Sequence, residues 1–363
     1  MIEGLKYAED CTFHSLLQYD EVRSKTDGDY PLSKLLTRAE SQLNDFEGNI
    51  DGIMGYIDFP VSVMVPLLNE KFGLSSISIH HSIQCEHKYW SRLSQRASIP
   101  EYIPAFSLFD PFDAISYDNI PLSYPFWIKP VKSYSSHLGF KISSKADLEH
   151  ALPIIRKNIY RITRPFDQLL TQLSLDMPDE VRSVSGYHFL AEELLSGHQC
   201  TLEGSMQSGQ FYVHGVIDSP CYPNSSAFSA YQYPSIVPEA VQQEMANISK
   251  RFLESIGFDN AAFNIDFFWD KTKNTLRLVE VNPRVSVVYS ALFHQVEGIS
   301  NHQIALNLAL GRLPKIEKQC EDFDVAAVFF YRVFQNAEVE AIPNEAEIAA
   351  IEAAIPGTKI QLE

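Results

Sequence analysis

One stretch constrains this chain more than any other: Asn264 to Arg284, NIDFFWDKTKNTLRLVEVNPR. Two apolar runs with a period of two flank the polar segment Lys271 to Asn274, the pattern of a β-hairpin closed by a short turn. Phe263, Ile265 and Phe267 share one strand face and Asn264 and Asp266 the other, while Leu276, Leu278, Glu280 and Asn282 fall on a common face of the returning strand. A register centred near Lys273 sets Asp266 across from Glu280, with β-carbons roughly 5 Å apart. Asn282 lies roughly 7 Å further along the strand, and Arg284 follows Pro283 out of the hairpin. Two carboxylates and an amide are oxygen donors for a hard divalent cation, and a guanidinium beside them suits a phosphate. The alternative is a surface hairpin with a solvated acidic face. It leaves unexplained why polar residues displace β-branched ones where the strands should be best buried.

Elsewhere the pattern alternates between strands and helices. Ile50 to Ile57 reads as a first apolar strand, Pro60 to Phe72 as a helix stopped by Gly73, and Ser75 to His80 as a second short strand. Together they suggest a parallel β–α–β unit. Asp58 then either faces the crevice where open sheets bind substrates or caps the helix. Residues 1–48 are weakly patterned. His80, His81, Cys85 and His87 invite a metal reading, but their spacings match no zinc site. Lys88 sits on a helix ended by Ile99-Pro100. Phe126 to Pro130 is an apolar strand carrying Lys129, and a lysine there needs an anionic partner. A serine-rich loop, including Ser135 and Ser136, leads to the strand Phe140 to Ile142. Residues 145–185 read as helices, Tyr187 to Gly204 as two strands broken at Ser196-Gly197, and 210–218 as a further strand. Val241, Met245, Ile248, Phe252 and Ile256 recur at helical spacing between Pro238 and Gly257. A helix over Gln303 to Leu310 ends at Gly311, and residues 322–363 read as strand, loop, short helix and strand.

Composition bounds the partners. At 363 residues and 45% hydrophobic content, the chain is globular and exceeds one ordinary domain. A net charge of −17 argues against nucleic acid or an anionic membrane, since either requires a basic surface. No apolar run approaches a membrane span, and no basic stretch followed by an apolar core opens the sequence. Cys11, Cys85, Cys200, Cys221 and Cys320 are scattered and odd in number, so they form no disulfide framework and a cytoplasmic location is expected. The sequons at Asn224 and Asn247 are then coincidental.

Asp266 and the run Glu280-Val281-Asn282-Pro283-Arg284 resemble the metal and phosphate motif of the ATP-grasp superfamily. Other parts of that machinery occur in family order over roughly residues 50–320. Lys88 matches the family lysine that approaches the nucleotide phosphates, and Lys129 with its loop matches the strand lysine and phosphate loop. Ser135 and Ser136 stand where the family commonly has glycine. Glu192, Glu193 and Leu195 match the hinge under the adenine, and Gln199 occupies the position of a ribose-holding glutamate. Bulky Val285 to Tyr289 replaces the small glycines of members that ligate amino acids.

The resemblance implies an α/β ATP-grasp fold with an α+β lid. Its units would be an N-terminal α/β domain (1–105), a lid with the phosphate loop (106–186), a C-terminal subdomain with the metal hairpin (187–315) and a capping segment (316–363). ATP would be clamped between lid and C-terminal subdomain. The resemblance also implies a carboxylate–amine ligase. Asp266, Glu280 and Asn282 would hold two Mg2+ ions, or Mn2+. Lys88, Lys129, Ser135, Ser136, Glu192, Glu193, Leu195 and Gln199 would surround the nucleotide. Arg284 and Lys129 would be the catalytic cations for an acyl phosphate that an amine captures. A small-molecule acid and amine are the implied partners, and a homodimer is compatible. Rival readings are a phosphotransferase or carboxylase on the same grasp, and a nucleotide-binding protein without turnover.

Overall fold

Among the described residues, ten strands form two sheets in which every pairing is antiparallel. The structure is a computed structural model and describes residues 5–6, 8–22, 30–223, 225–316, 318–319, 323–335 and 337–362. The first sheet contains β1 (Phe106–Phe109), β2 (Phe126–Pro130), β3 (Phe140–Ile142) and β4 (Phe189–Glu193), in the order β1-β4-β2-β3. The second contains β5 (His198–Gln207), β6 (Gln210–Asp218), β7 (Ala230–Tyr233), β8 (Ala261–Asp270), β9 (Thr275–Asn282) and β10 (Ala326–Phe329), in the order β10-β7-β6-β5-β8-β9. The chain passes between the sheets over Leu194 to Gly197. Gly197 has φ +124°, and a β-carbon there would lie 2.4 Å from the Trp269 carbonyl oxygen, so this crossing requires glycine.

The expected amphipathic helix spans Glu239–Ser255 and buries Met245, Ile248, Phe252 and Leu253 against Phe263, Ile265 and Phe267 of β8. Helix Lys145–Asn158, capped by Ser144, covers the first sheet through Leu148, Leu152 and Ile155. The N-terminal part is helical instead of the expected parallel unit. Helices Leu32–Asn44, Val61–Lys71, Ile79–Glu86 and Lys88–Ser98 meet Tyr160–Gln172 around Phe59, Val63, Trp90, Ile162 and Phe166.

The two missing strands have local causes. The side-chain oxygen of Ser78 accepts from His81 N, so Ser75–His80 resolves into an N-cap and a helix start. Over residues 50–57, the Asn69 side chain bonds both the amide and the carbonyl of Ile53, at 3.3 and 2.8 Å, and takes the place of a ladder. Helix Glu345–Ala354 carries an Asn344 capping box, while residues 355–362 form no strand. Cys320 and Asn224 lie outside the described residues, and the other four cysteines are free. Among the described residues, no helix is long and apolar enough to cross a membrane.

Strands β8 and β9 form the expected hairpin, with Asn264 opposite Asn282 and Asp266 opposite Glu280. Beyond Asp266 the register shifts by one, pairing Phe267 with Leu278 and leaving Val279 as the extra residue. This bulge reverses the side-chain parity of β9. Leu276 and Leu278 enter the core, as does Val281, while Glu280 and Asn282 turn to the opposite side. Simple alternation had put the two leucines and the two polar residues on one face, an arrangement that would have buried a carboxylate among leucines.

Phe267 is fully buried where this hairpin meets the Glu239–Ser255 helix. Phe267→Ala is expected to lower stability by about 3–5 kcal/mol. The readout is a lower denaturant midpoint at unchanged slope. A loss under about 1 kcal/mol would remove the hairpin from the core.

Candidate active site

The twelve residues assigned to nucleotide, metal or catalysis from the sequence line one cleft of about 1950 Å³ between the two sheets: Lys88, Lys129, Ser135, Ser136, Glu192, Glu193, Leu195, Gln199, Asp266, Glu280, Asn282 and Arg284. Its floor is the hairpin. Asp266 accepts from Thr201 Oγ1 at 2.6 Å, and Tyr289 Oη donates to that same hydroxyl at 3.1 Å. Burial, and then the charge of Glu280, push the Asp266 carboxyl up from its ordinary value. Burial acts on Glu280 too, but the ammonium groups of Lys88 and Lys129 outweigh it and hold that carboxyl down. Lys88 Nζ lies 3.4 Å from Glu280 and donates to Ser133 O at 2.8 Å.

The donor set fits magnesium. Among the described residues, no three His, Cys, Asp or Glu side chains group into a cage. Two opposed carboxylates remain, with Asn282, whose amide nitrogen bonds Asn264 Oδ1 at 3.3 Å and leaves its oxygen to coordinate. Mg2+ is commonly bound by one or two carboxylates and completes its shell with water and substrate phosphates. A cation here would also relieve the repulsion that raises Asp266.

Behind the floor lies a buried ionic group that the sequence did not disclose. Glu192 accepts from Arg92 Nε at 2.6 Å and pairs with Lys129 Nζ at 2.9 Å. Arg92 is 2% exposed and also donates to Gln95 Oε1 and to the carbonyls of Leu278 and Val279, the last two at 3.1 and 2.6 Å. These carbonyls lie at the β9 bulge, where the ladder is interrupted. Burial would raise the Glu192 carboxyl, but Arg92 and Lys129 bring it down to about 2. Burial lowers Lys129, against the opposing pull of Glu192. The Glu192 side chain is therefore committed to two cations at the lining of the cleft.

Arg284 Nε donates to Asp58 Oδ1 at 2.6 Å, with a second guanidinium nitrogen on the same oxygen. Asp58 thus holds this arginine and does not cap the following helix. In the serine-rich loop after β2, Ser135, Ser136 and Leu138 take left-handed backbones, with φ of 51°, 54° and 58°. Glycine is obligatory only at Gly139, where a β-carbon would lie 2.6 Å from Trp127 Cζ2. His87 is fully buried, which lowers it to about 4, and it bonds the Val184 carbonyl, so it serves packing and not a metal.

Two residues of this site escaped sequence reasoning. Arg92 follows Lys88 by one helical turn, a spacing that places both on one face and was legible. Thr201 becomes visible only through its pairing with Asp266 across β5 and β8.

The sequence of residues 122–289 matches the ATP-grasp domain family. No curated protein sequence matches the chain. Among solved structures, an L-amino acid ligase from Bacillus licheniformis is similar at 18% identity and a TM-score of 0.66, over 83% of this chain and 68% of that one. An N5-carboxyaminoimidazole ribonucleotide synthetase in its ADP complex is similar at 13% identity and a TM-score of 0.59, over 84% and 71%. The biotin carboxylase domain dimer of a Hydrogenobacter thermophilus 2-oxoglutarate carboxylase, solved with MgADP and bicarbonate, is similar at 14% identity and a TM-score of 0.57, over 79% and 58%. These likenesses establish the fold.

Removing Arg92 leaves Glu192 short of a buried partner. Arg92→Ala is expected to cost about 3–5 kcal/mol at neutral pH, measured by denaturant unfolding. A carboxyl held low stabilises the fold above its ordinary 4.5 and ceases to do so as pH falls toward about 2. The gap between wild type and Arg92→Ala should therefore narrow over that interval. A gap independent of pH would mean that the loss is one of packing alone.

Proposed function

Since residues 122–289 form an ATP-grasp domain in a chain of that fold, we propose that the protein is an ATP-dependent carboxylate–amine ligase. The observation that carries this reading is Asp266 facing Glu280 in one cleft with Lys88, Lys129 and Arg284. In the reaction, an oxygen of the acid bonds the γ-phosphorus as ADP leaves. The amine then attacks the acyl carbon, phosphate departs and the amine loses a proton.

Both steps bring anions together, so the chain must supply and hold positive charge. Asp266, Glu280 and Asn282 are the ligands for Mg2+, two ions on this reading and replaceable by Mn2+; bound there, the metal draws charge off the phosphates. Lys129, fixed at the end of β2 by Glu192, and Lys88, fixed near Glu280, direct ammonium groups at the phosphate position. The left-handed Ser135 and Ser136 let loop N–H groups turn toward phosphate oxygens. Glu193, Leu195 and Gln199 line the part assigned to adenine and ribose. The forked donors of Arg284 suit both the transferred phosphoryl group and the oxyanion that follows.

On this reading, residues 1–105, 106–186, 187–315 and 316–363 are the N-terminal domain, lid, metal-bearing subdomain and cap. The free cysteines support a cytoplasmic location. A homodimer is compatible with it.

Mg-ATP should raise stability by about 2.7 kcal/mol at a hundred times its dissociation constant. Glu280→Gln should lower ADP release by roughly 100-fold or more, each cation contributing several kcal/mol, with the fold intact by circular dichroism. The deciding assay supplies ATP, candidate acids and hydroxylamine, which traps an acyl phosphate as a hydroxamate. Hydroxamate that disappears in Arg284→Ala supports the ligase. A phosphorylated product without hydroxamate from any acid makes the protein a phosphotransferase.

A further inference from the structure

Beyond the metal carboxylates the cleft changes character. Its wall there is aromatic, formed by Phe228, Tyr231, Tyr289 and Phe330 with Val288 and Arg332. Tyr231 is the hub. Its ring centroid lies 5.2 Å from Phe228, 5.2 Å from Tyr289 and 5.3 Å from Phe330, the last two nearly edge-on at 79° and 86°. Tyr289 is anchored through Thr201 to the metal site. The Arg332 guanidinium lies 5.0 Å over Phe330, and its Nε donates to Phe228 O at 3.3 Å.

The charge of this wall is one-sided. Among its described residues (219–223, 225–231, 287–289, 330–332 and 361–362) there is no aspartate or glutamate. Three acids elsewhere in the cleft are paired with cations, Asp58 with Arg284, Glu192 with Arg92 and Lys129, and Glu280 with Lys88, while Asp266, next to the wall, accepts from Thr201 and on the ligase reading is taken up by the metal. Asp20 and Glu193 line the cleft outside this wall. An ammonium group brought here, with Asp266 taken up by the metal, would lose water, find no carboxylate on the wall itself and meet the guanidinium of Arg332. A flat ring would find edge-to-face partners in the tyrosines and a stacking face in Arg332.

We propose that the acid substrate is an aromatic carboxylic acid bearing no ammonium group. Its ring packs against Tyr231, Tyr289 and Phe330, and its carboxylate points to Arg284 and the Asp266–Glu280 pair. The inference names the acid for the ligase reading and rests on that reading for its chemistry, though not for its binding.

The test uses three acids: 3-phenylpropionate, phenylalanine (the same skeleton plus an ammonium) and hexanoate (the same reach without a ring). Calorimetry measures each on the full chain, with and without Mg2+ and a non-hydrolysable ATP analogue, beside the hydroxamate assay. Phenylpropionate should bind at least about tenfold tighter than the other two. Tyr231→Leu should erase the advantage over hexanoate while Tyr231→Phe keeps it. Arg332→Glu, at an exposed position, should shrink the discrimination against phenylalanine by about tenfold.

Equal or tighter binding of phenylalanine or hexanoate, or no binding of any of the three, overturns the proposal. Hydroxamate from phenylalanine or hexanoate but not from phenylpropionate overturns it too, and leaves the ligase standing. Selective binding of phenylpropionate with no hydroxamate from any acid supports the aromatic site and defeats the ligase instead.

Discussion

Two carboxylates directly opposed across a strand pair repel each other, and the cleft is organised around containing that repulsion. Asp266 and Glu280 carry the same charge and share a face, yet their surroundings drive them apart. Burial and its neighbour raise Asp266, while Lys88 and Lys129 hold Glu280 down. One carboxylate is balanced by protein cations, and the other only by the Thr201 hydroxyl and more distant charges. On the ligase reading, these carboxylates and Asn282 would hold Mg2+, and the cation would supply the remaining charge.

Containment requires that both carboxylates face the cleft, and regular alternation on β9 would not allow this together with a leucine core. The bulge at Val279 resolves the conflict by reversing parity between Leu278 and Glu280. A bulge exposes backbone carbonyls, and buried carbonyls need donors. Arg92 supplies them from the neighbouring helix while its Nε holds Glu192 of the first sheet. A buried ion pair is weak evidence of net stability, because desolvation offsets much of its attraction. Its value here is geometric: one guanidinium sets the bulge, the Glu192 carboxylate and, through that carboxylate, Lys129. Two sheets and a helix are thereby held in one register around the charged groups of the cleft.

Most of the C-terminal half was legible, because its elements are long and their polar exceptions sit at regular intervals. The Asp266–Glu280 pairing and the Glu239–Ser255 helix follow from periodicity alone. The N-terminal half misled because two short alternating tracts obeyed side-chain capping rather than strand pairing. Ser78 turned SSISIH into a helix start, and Asn69 satisfied the Ile53 backbone that a neighbouring strand was expected to satisfy. The bulge was hidden for a different reason: a single inserted residue leaves the flanking pattern apolar on both sides. The ion pair of Glu192 was hidden because its partner, Arg92, lies one hundred positions earlier in the chain. Glu192's position beside a hinge was visible, but the arginine that claims its carboxylate was not.

The Asp58–Arg284 pair shows why the N-terminal helices belong to the cleft even though the opposed carboxylates lie on the hairpin. Arg284 follows a proline at the end of β9, where no strand partner fixes its side chain. Unrestrained, a guanidinium beside Asp266 would pair with that carboxylate and compete with a metal for it. Asp58 prevents this by taking Nε and a second nitrogen, while the Val285 carbonyl accepts from the third. The arginine is held beside the carboxylates without pairing with them, so on the ligase reading a metal and a phosphate-facing cation would stay distinct. Asp58 can do this because it lies just before the helix Val61–Lys71, which packs its buried face into the N-terminal core. The position of the Arg284 guanidinium in the C-terminal half is thus set by hydrophobic packing near the start of the chain.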